Sequence, residues 1–414
     1  MKYGLHRVRM ITHIHTNASN GPASEIDPVI ADALRSIFGQ DHKPEWKECY
    51  TKVRRLARLL NDPWTEPRIG IITVTDHLNQ KSHTLQKDAL KLAAANPRLA
   101  ICGEISCVDI DLDGKYRRSP EVLVYGRPEP VPGPFGPYFG LSQDMLDDMF
   151  QRCRAPGMQE LQTGKVLDYC ENNGLAYALA HPLDGQELSL EPILGLVSRS
   201  KFVEVVNGGF PASTSKYLDG FLRFQVRLAQ GWRIPDDMIT RFPLAGRLVG
   251  KIIRENRNPP HPWGGSDAHS HNFSRVVIVF RTQSLQPTAG DLFKTMIDYS
   301  TTELMDDEIF KIEGRPGSSI SVLDDVLRIV ARNIWEGRRK YFRIPTKTLA
   351  LMTETRRVVA QELGKRARRR AELLRYAQKE LPLSRILASM IPPTKENADE
   401  SGGYEASRFV DGRM

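Results

Sequence analysis

Two histidines one residue apart, His13 and His15, end an apolar run near the start of the chain. Residues i and i+2 of a strand share a face, so both imidazoles would point the same way from the end of one strand. Imidazole is a common ligand of zinc and related divalent metals. Alone, His-x-His is weak evidence for a metal site, because a hydrogen-bonded structural pair has the same sequence.

Four further apolar runs end in side chains that can bind a metal. They end in Asp76-His77, in Glu104, in His181 and in Asp267-Ala268-His269. Strands that all deliver side chains to one rim predict a barrel. Histidine and carboxylate ligands without thiolate suit Zn, Mn, Fe or Ni, and carboxylates leave room for more than one ion. The alternative, a barrel with buried and hydrogen-bonded histidines, is disfavoured by so many of them at one end.

These motifs, in this order, resemble the PHP (polymerase and histidinol phosphatase) family of metal-dependent phosphoesterases over residues 5–285. The matching segments are His13-Ile14-His15-Thr16, Thr75-Asp76-His77, Gly103-Glu104, Ala180-His181-Pro182 and Gly265-Ser266-Asp267-Ala268-His269. The resemblance implies an α/β fold, a distorted (β/α)7 TIM-like barrel of PHP type. It also implies a metal centre at the carboxyl ends of the strands and hydrolysis of a phosphate ester by metal-activated hydroxide.

By this resemblance a first ion has four ligands, namely His13, His15, Glu104 and Asp267. A second would be held by His77 and His269 together with Asn20, and His181 with a bridging Glu104 would form a third position.

Two positions depart from the family pattern. Asn20 stands where an aspartate is usual, and its amide offers only a neutral oxygen. Leu123 stands where the family usually has a ligand histidine, and it cannot bind a metal. We therefore expect two divalent ions, Mn, Zn or Fe, and no complete third site.

The carboxylates have separate expected roles in catalysis. Glu104 can bridge two ions because it has two oxygens, and the charge of Asp267 helps to hold the first ion. Asp76 precedes His77 on the strand and points to the opposite side, so we expect it to orient neighbouring groups rather than bind metal.

Two more residues are candidates for contact with the substrate. His271, two residues after His269, could contact substrate or carry a proton, and the alternative is a surface histidine. Arg127 follows the glycine that ends a predicted barrel strand, where it could bind phosphate. It opens a Pro/Gly-rich segment, residues 127–140, which we interpret as a lid or as a rigid surface connection.

A second function remains open, because Asn20 and Leu123 depart from the pattern. The barrel could be catalytically degenerate, a metal-stabilised binding or scaffold module. Bound metal without turnover would distinguish this module from a hydrolase.

The composition predicts a cytoplasmic protein without a transmembrane segment. Hydrophobic residues make up 40% of the chain, and no apolar stretch approaches the ~20 residues that span a bilayer. The start lacks a signal-peptide pattern. The five cysteines are widely spaced and form no close pair motif, which indicates reduced thiols.

The chain divides into three predicted parts. Residues 1–285 form the barrel, with an insertion at about 21–67 whose helical stretches are 27–38 and 46–60. Residues 286–392 form a basic helical extension with helices over 319–341 and 346–380, and 393–414 are a polar, disordered tail.

The positive charge is concentrated in the extension, above all in residues 356–375, which include Lys365-Arg366-Ala367-Arg368-Arg369-Arg370. This segment could bind nucleic acid or an anionic membrane surface, and the alternative is a solvated helix face or an acidic partner protein. The substrate itself is expected to be a small phosphorylated metabolite, a nucleotide or a nucleic-acid end.

Overall fold

The computed structural model describes residues 6–16, 53–61, 69–80, 83–184, 187–208, 211–255, 258–268, 275–299, 309–314 and 346–393. Several predictions lie outside these residues. They concern Asn20, His269, His271, the helices over 27–38 and 319–341, and the tail from 394 onward.

Strands and helices alternate along much of the chain. The first half contains β1 (His6–Ile14), α1 (Val53–Asn61), β2 (Ile69–Leu78), α2 (Lys87–Ala94), β3 (Leu99–Ile105), β4 (Cys107–Ile110), β5 (Tyr116–Arg118), β6 (Val122–Gly126), α3 (Gln143–Arg152), β7 (Leu161–Gln162), α4 (Thr163–Asn172) and β8 (Ala176–Leu179). The second half contains α5 (Leu190–Arg199), β9 (Phe202–Asn207), α6 (Ala212–Ala229), α7 (Asp236–Arg241), α8 (Pro243–Glu255), β10 (His261–Gly265), β11 (Val276–Thr282), α9 (Ala289–Tyr299), β12 (Phe310–Gly314), α10 (Thr346–Glu380) and α11 (Leu383–Ser389).

A nine-stranded sheet organises the molecule, in the order β10-β9-β8-β6-β3-β2-β1-β11-β12. The strands β1, β2 and β3 are parallel, as are β8, β9 and β10. The segment after β10 returns to β1, because Ser266 N donates to Thr12 O at 3.0 Å and His15 N donates to Ala268 O at 3.0 Å. The sheet is therefore nearly closed and barrel-like, which confirms the predicted α/β class with a barrel at its centre.

Strand β6 runs antiparallel to both of its neighbours in this sheet. After β3 the chain forms the hairpin β4–β5, and β6 then returns antiparallel to both β3 and β8. Its first residues consequently lie beside the carboxyl end of β3. Its last residue, Gly126, is paired with Ala176 at the start of β8.

Side chains alternate between the inside of the sheet and the helices around it. A separate buried cluster contains Met10, Leu123, Tyr125 and Trp263, and the Nε1 of Trp263 donates to the Tyr125 hydroxyl at 2.8 Å. The helix α9 contributes Phe293 and its neighbours to the same cluster and so closes the end of the barrel where the parallel strands begin. Both α9 and β12 lie beyond residue 285, the predicted end of the barrel.

The C-terminal helices pack against the outside of the barrel. The prediction of a helix over 346–380 is confirmed by α10. The Tyr217 hydroxyl of α6 donates to Ala377 O at 3.3 Å, and Arg227 Nη1 donates to Leu387 O at 2.6 Å. These bonds fix the end of α10 and all of α11 on α6.

Within the described part of the chain, no helix combines the length and apolar character needed to cross a membrane. Among the same residues four cysteines are buried and form no disulfide. They are Cys102, Cys107, Cys153 and Cys170.

Candidate metal centre

The candidate ligands that the structure describes meet at one end of the barrel. They come from the ends of β1, β2 and β3 and from the segments that follow β8 and β10: His13, His15, His77, Glu104, His181 and Asp267. The side chains of His13, His15 and Glu104 are fully buried, and the others are at most 15% exposed. Strands that are distant in sequence thus deliver the cluster to a single site, as the sequence predicts.

Glu104 lies at the centre of this cluster. Its Oε1 is 3.2 Å from His13 Nε2 and 3.0 Å from His181 Nε2. Its Oε2 is 3.4 Å from His15 Nε2 and 2.7 Å from His77 Nδ1. Each carboxylate oxygen therefore faces a different pair of imidazoles, which is the arrangement that a ligand bridging two ions requires.

Asp267 supplies the second carboxylate, which lies between His13 of β1 and His15 just after this strand. Its Oδ1 is 3.5 Å from His13 Nε2 and 3.3 Å from His15 Nε2. The ligand atoms form three overlapping groups, in each of which all atoms lie within 4.8 Å of one another: His13, Glu104 and His181; His13, His15 and Asp267; and His15, His77 and Glu104.

The residues present fit divalent cations. Buried polar atoms in proteins are nearly always hydrogen-bonded. Yet His13 Nε2 and Glu104 Oε2, both fully buried, make no hydrogen bond to the described residues. A cation between them would satisfy both atoms, and the nitrogen and oxygen donors suit Zn, Mn or Fe.

Three of these candidate ligands have an unusual backbone conformation. Among the described non-glycine residues, positive φ occurs at His13 (56°), His181 (23°) and Asp267 (47°). Such conformations cost roughly 1–3 kcal/mol each and are concentrated at functional sites. At His13 the pairing of β1 with β2 shifts register, so β1 does not continue to His15 as the regular strand that the sequence suggests.

Glu204 holds His13 in place, and sequence reasoning missed it. Its Oε1 is 2.8 Å from His13 Nδ1, and its Oε2 accepts from the backbone N of His181 at 3.0 Å and from Asn207 Nδ2 at 2.9 Å. A carboxylate on one imidazole nitrogen directs the other toward a metal. The only signal in the sequence is a glutamate among the apolar residues of β9.

Asp76 contacts the segment just past His15. Its carboxylate accepts from Thr16 N at 2.5 Å and from Thr16 Oγ1 at 2.7 Å. It thereby fixes the chain after β1, which fits the orienting role that the sequence suggests for it.

Glu121 joins the centre from an unexpected direction. It precedes β6, is 4% exposed, and places its Oε2 3.7 Å from His181 Nε2. Leu123, the position compared with a family histidine, pairs with Glu104 across β3 and β6 and is buried among apolar side chains. A glutamate directly before an apolar run was the signal that sequence reasoning passed over.

The structure does not bring Arg127 to the histidines. Its expected position at the rim assumes that β6 runs parallel to β3, whereas β6 is antiparallel. Arg127 lies at the opposite end of the barrel and donates from Nε to Asn173 O at 3.1 Å. The Pro/Gly segment that it opens ends beside the start of β3, where Leu141 N donates to Ile101 O, so this segment is no lid over the metal centre.

The charges at the centre favour a cation. Burial alone would lower the pKa of His13, but the carboxylates of Glu204, Glu104 and Asp267 outweigh it and raise this pKa well above its usual value. The pKa of His181 is likewise raised, to about 9, against burial and chiefly by its hydrogen bond to Glu104. Burial would raise the pKa of Glu104, yet His13 and His77 hold it well below its usual range.

No family model matches the chain, and no curated protein matches it. Among the solved structures that are similar is a two-domain protein from Bacteroides vulgatus that contains a predicted PHP-like metal-dependent phosphoesterase. The similarity covers 75% of this chain and 66% of that chain, with 12% sequence identity and a TM-score of 0.33. This similarity is too weak to carry an argument about function. The assignment of the candidate metal centre therefore rests on the geometry of its own residues.

Proposed function

We propose that this chain is a metal-dependent phosphoesterase of PHP type, which hydrolyses a phosphate ester at the centre around Glu104. The observation that carries the proposal is the bridging geometry of this glutamate, whose two oxygens face separate pairs of imidazoles. Seven strands, namely β1, β2, β3, β6, β8, β9 and β10, form the ring that delivers the ligands. We infer that this ring is the distorted (β/α)7 barrel of that family.

The ligands divide between at least two ions. We propose that His13, His15 and Asp267 hold the first ion and that Glu104 links it to a second on the side of His77. By resemblance, His269 and Asn20 would join the second ion. Manganese, zinc and iron are the metals that this donor set favours.

The protein groups around these ligands hold them in the geometry that the reaction needs. When bound, the ions would act as Lewis acids on the phosphate and make a hydroxide nucleophile available at neutral pH. Glu204 is hydrogen-bonded to the Nδ1 of His13, so that the Nε2 of His13 faces the centre. Asp76 fixes the backbone beyond His15 through Thr16.

Metal analysis combined with a substrate screen tests this proposal. The purified full chain is assayed for bound Mn, Zn and Fe by inductively coupled plasma mass spectrometry. It is then assayed with each metal on an aryl phosphate, on phosphorylated sugars and nucleotides, and on oligonucleotides with terminal phosphates. We expect stoichiometric metal and metal-dependent release of phosphate.

Two results would count against this function in different ways. Protein that binds none of these metals and hydrolyses none of these substrates would remove the metal centre and the reaction together. Bound metal without turnover on the whole panel would support the binding or scaffold module instead and would remove only the reaction.

A further inference from the structure

The reversed strand β6 introduces a residue that the sequence pattern did not assign to the centre. Because β6 is antiparallel, the residue before it lies at the same end as the ligands. The backbone carbonyl of Glu121 accepts from Ala180 N at 2.9 Å, which places Glu121 directly beside the segment of His181. Residues two apart on a strand share a face, so Glu121 stands one step nearer the rim than Leu123 on the inner face of the barrel.

The side chain of Glu121 shares an imidazole with Glu104. The Nε2 of His181 is 3.0 Å from Glu104 Oε1 and 3.7 Å from Glu121 Oε2. Glu121 is 4% exposed and Glu104 is fully buried, so two buried carboxylates approach the same imidazole nitrogen. Buried like charges are costly unless a cation lies between them.

The protein groups around Glu121 offset this charge only in part. Ser106 Oγ donates to Glu121 Oε1 at 3.0 Å, and Arg118 Nη2 approaches the same oxygen only to 4.0 Å with its side chain 32% exposed. Glu104 Oε2 is in addition a buried acceptor that makes no hydrogen bond to the described residues. On this side of the cluster, two buried carboxylates therefore meet at the single imidazole of His181.

We propose that Glu121 is a metal ligand that completes, with His181 and Glu104, a further divalent cation position beside the two ions proposed above. The inference rests on the proposed metal centre and extends it. Leu123 cannot bind a metal. Glu121, two residues earlier on the same face of the strand, supplies a ligand side chain in its place. The chain then holds one ion more than the pattern with Leu123 predicts.

The test compares metal binding by the full-length wild type and Glu121→Gln. The protein is stripped with a chelator and titrated with Mn²⁺ and with Zn²⁺. Calorimetry gives the affinities, and mass spectrometry after dialysis gives the number of ions per chain. We expect Glu121→Gln to lose one ion per chain, or to bind its weakest ion at least about tenfold less tightly, because even residues behind the ligands affect metal affinity by that factor.

Two further variants make the result specific. Glu191→Gln makes the same chemical change at an ion pair with Arg247 on the outer surface and should leave the number of ions unchanged. Glu121→Asp keeps the charge but shortens the reach, so it should bind the additional ion with intermediate affinity. If circular dichroism shows that Glu121→Gln does not fold, Glu121→Asp takes its place in the metal titration.

The outcomes separate this inference from the proposed function. Wild-type numbers and affinities in folded Glu121→Gln would overturn the role of Glu121 as a ligand and leave the bridged centre in place. Unchanged metal binding with a lost reaction rate would likewise overturn it, and would indicate proton transfer by Glu121. A wild type that binds no divalent ion would remove both proposals.

Discussion

Arg370 of α10 forms a bidentate ion pair with Asp184. This aspartate lies three residues after the candidate ligand His181. Arg370 Nε lies 3.0 Å from Asp184 Oδ1 and Nη2 lies 2.6 Å from Oδ2, and both side chains are largely buried. Asp184 N in turn donates to His181 O at 2.9 Å. The C-terminal extension is therefore tied directly to the loop that carries one of the candidate ligands.

Arg370→Ala should destabilise the protein because it leaves the Asp184 carboxylate buried without its main partner. Removing one member of a buried pair costs roughly 3–5 kcal/mol. Urea unfolding of the metal-free protein measures this loss, and a metal titration should show weaker binding on the side of His181. Arg369→Ala is the control, because its side chain is exposed on the same helix. An equal loss in both variants would contradict a specific role for the pair.

Glu104→Gln should nearly abolish hydrolysis with the fold intact. The amide keeps the size of the side chain but offers one neutral oxygen where two ions need a shared charge. Turnover should fall by at least about a hundredfold, the upper end of the effect of residues that only support ligands. The measurement is steady-state hydrolysis at saturating metal, with circular dichroism to establish folding. Wild-type rates in this variant would exclude Glu104 as the bridging ligand.

Glu204→Gln should weaken the first ion without removing a ligand. The amide can still contact His13 Nδ1 but no longer supports the imidazole with a negative charge, which should lower metal affinity about 10- to 100-fold. Competition with a chelator of known affinity measures the change. Because Glu204 acts through His13, excess metal should restore the rate of hydrolysis, and a loss of rate that excess metal does not restore would contradict this positioning role.

The sequence predicted the position of those candidate ligands whose residue type and place at a strand end both carry information. His13, His15 and Glu104 end apolar runs, and the parallel strands then bring them together as expected. Glu121 was passed over and Arg127 was misplaced for one shared reason. The sequence of a short apolar strand such as β6 does not show whether the strand is parallel or antiparallel to its neighbours. Only its hydrogen bonding with β3 and β8 shows that its first residues, and not its last, lie beside the candidate ligands.

Tertiary contacts account for the remaining differences. The helical period of α10 was visible in its sequence, but the partner of Arg370 was not, because Asp184 is distant along the chain. Arg370 is thus engaged by Asp184 and is not available to an external partner of the basic segment. Lys365, Arg368 and Arg369 of the same helix are exposed. Glu204 was hidden in the same way, since nothing in β9 indicates that β1 lies opposite.

Metal binding should release protons near neutral pH. In the metal-free protein the carboxylates raise the pKa of His181 to about 9 and also raise that of His77, against the effect of burial. Metals bind the neutral imidazole, so each ion must displace these protons and its apparent affinity should fall as the pH drops below 9. Calorimetry in two buffers of different ionisation enthalpy measures the number of protons released. Identical heats in both buffers would contradict this linkage.

His261, at the start of β10, should make the protein less stable in mild acid. Burial lowers the pKa of this histidine to about 4, against a hydrogen bond with Pro262 O that raises it. The folded state therefore keeps His261 neutral while the unfolded state takes up a proton below about pH 6.5. The stability present above this pH declines as the pH falls toward 4, by up to about 3 kcal/mol at 1.4 kcal/mol per pKa unit.

The variant His261→Phe tests this origin of the acid sensitivity. Phenylalanine can pack against Phe202 and Phe310, which the imidazole already contacts, and it has no proton to gain. In urea unfolding of the metal-free protein at pH 4.5, 5.5 and 7, its stability relative to wild type should therefore rise as the pH falls. His6→Phe, at the exposed start of β1, should show no such trend. A constant difference between His261→Phe and wild type across these pH values would show that another group causes the loss in acid.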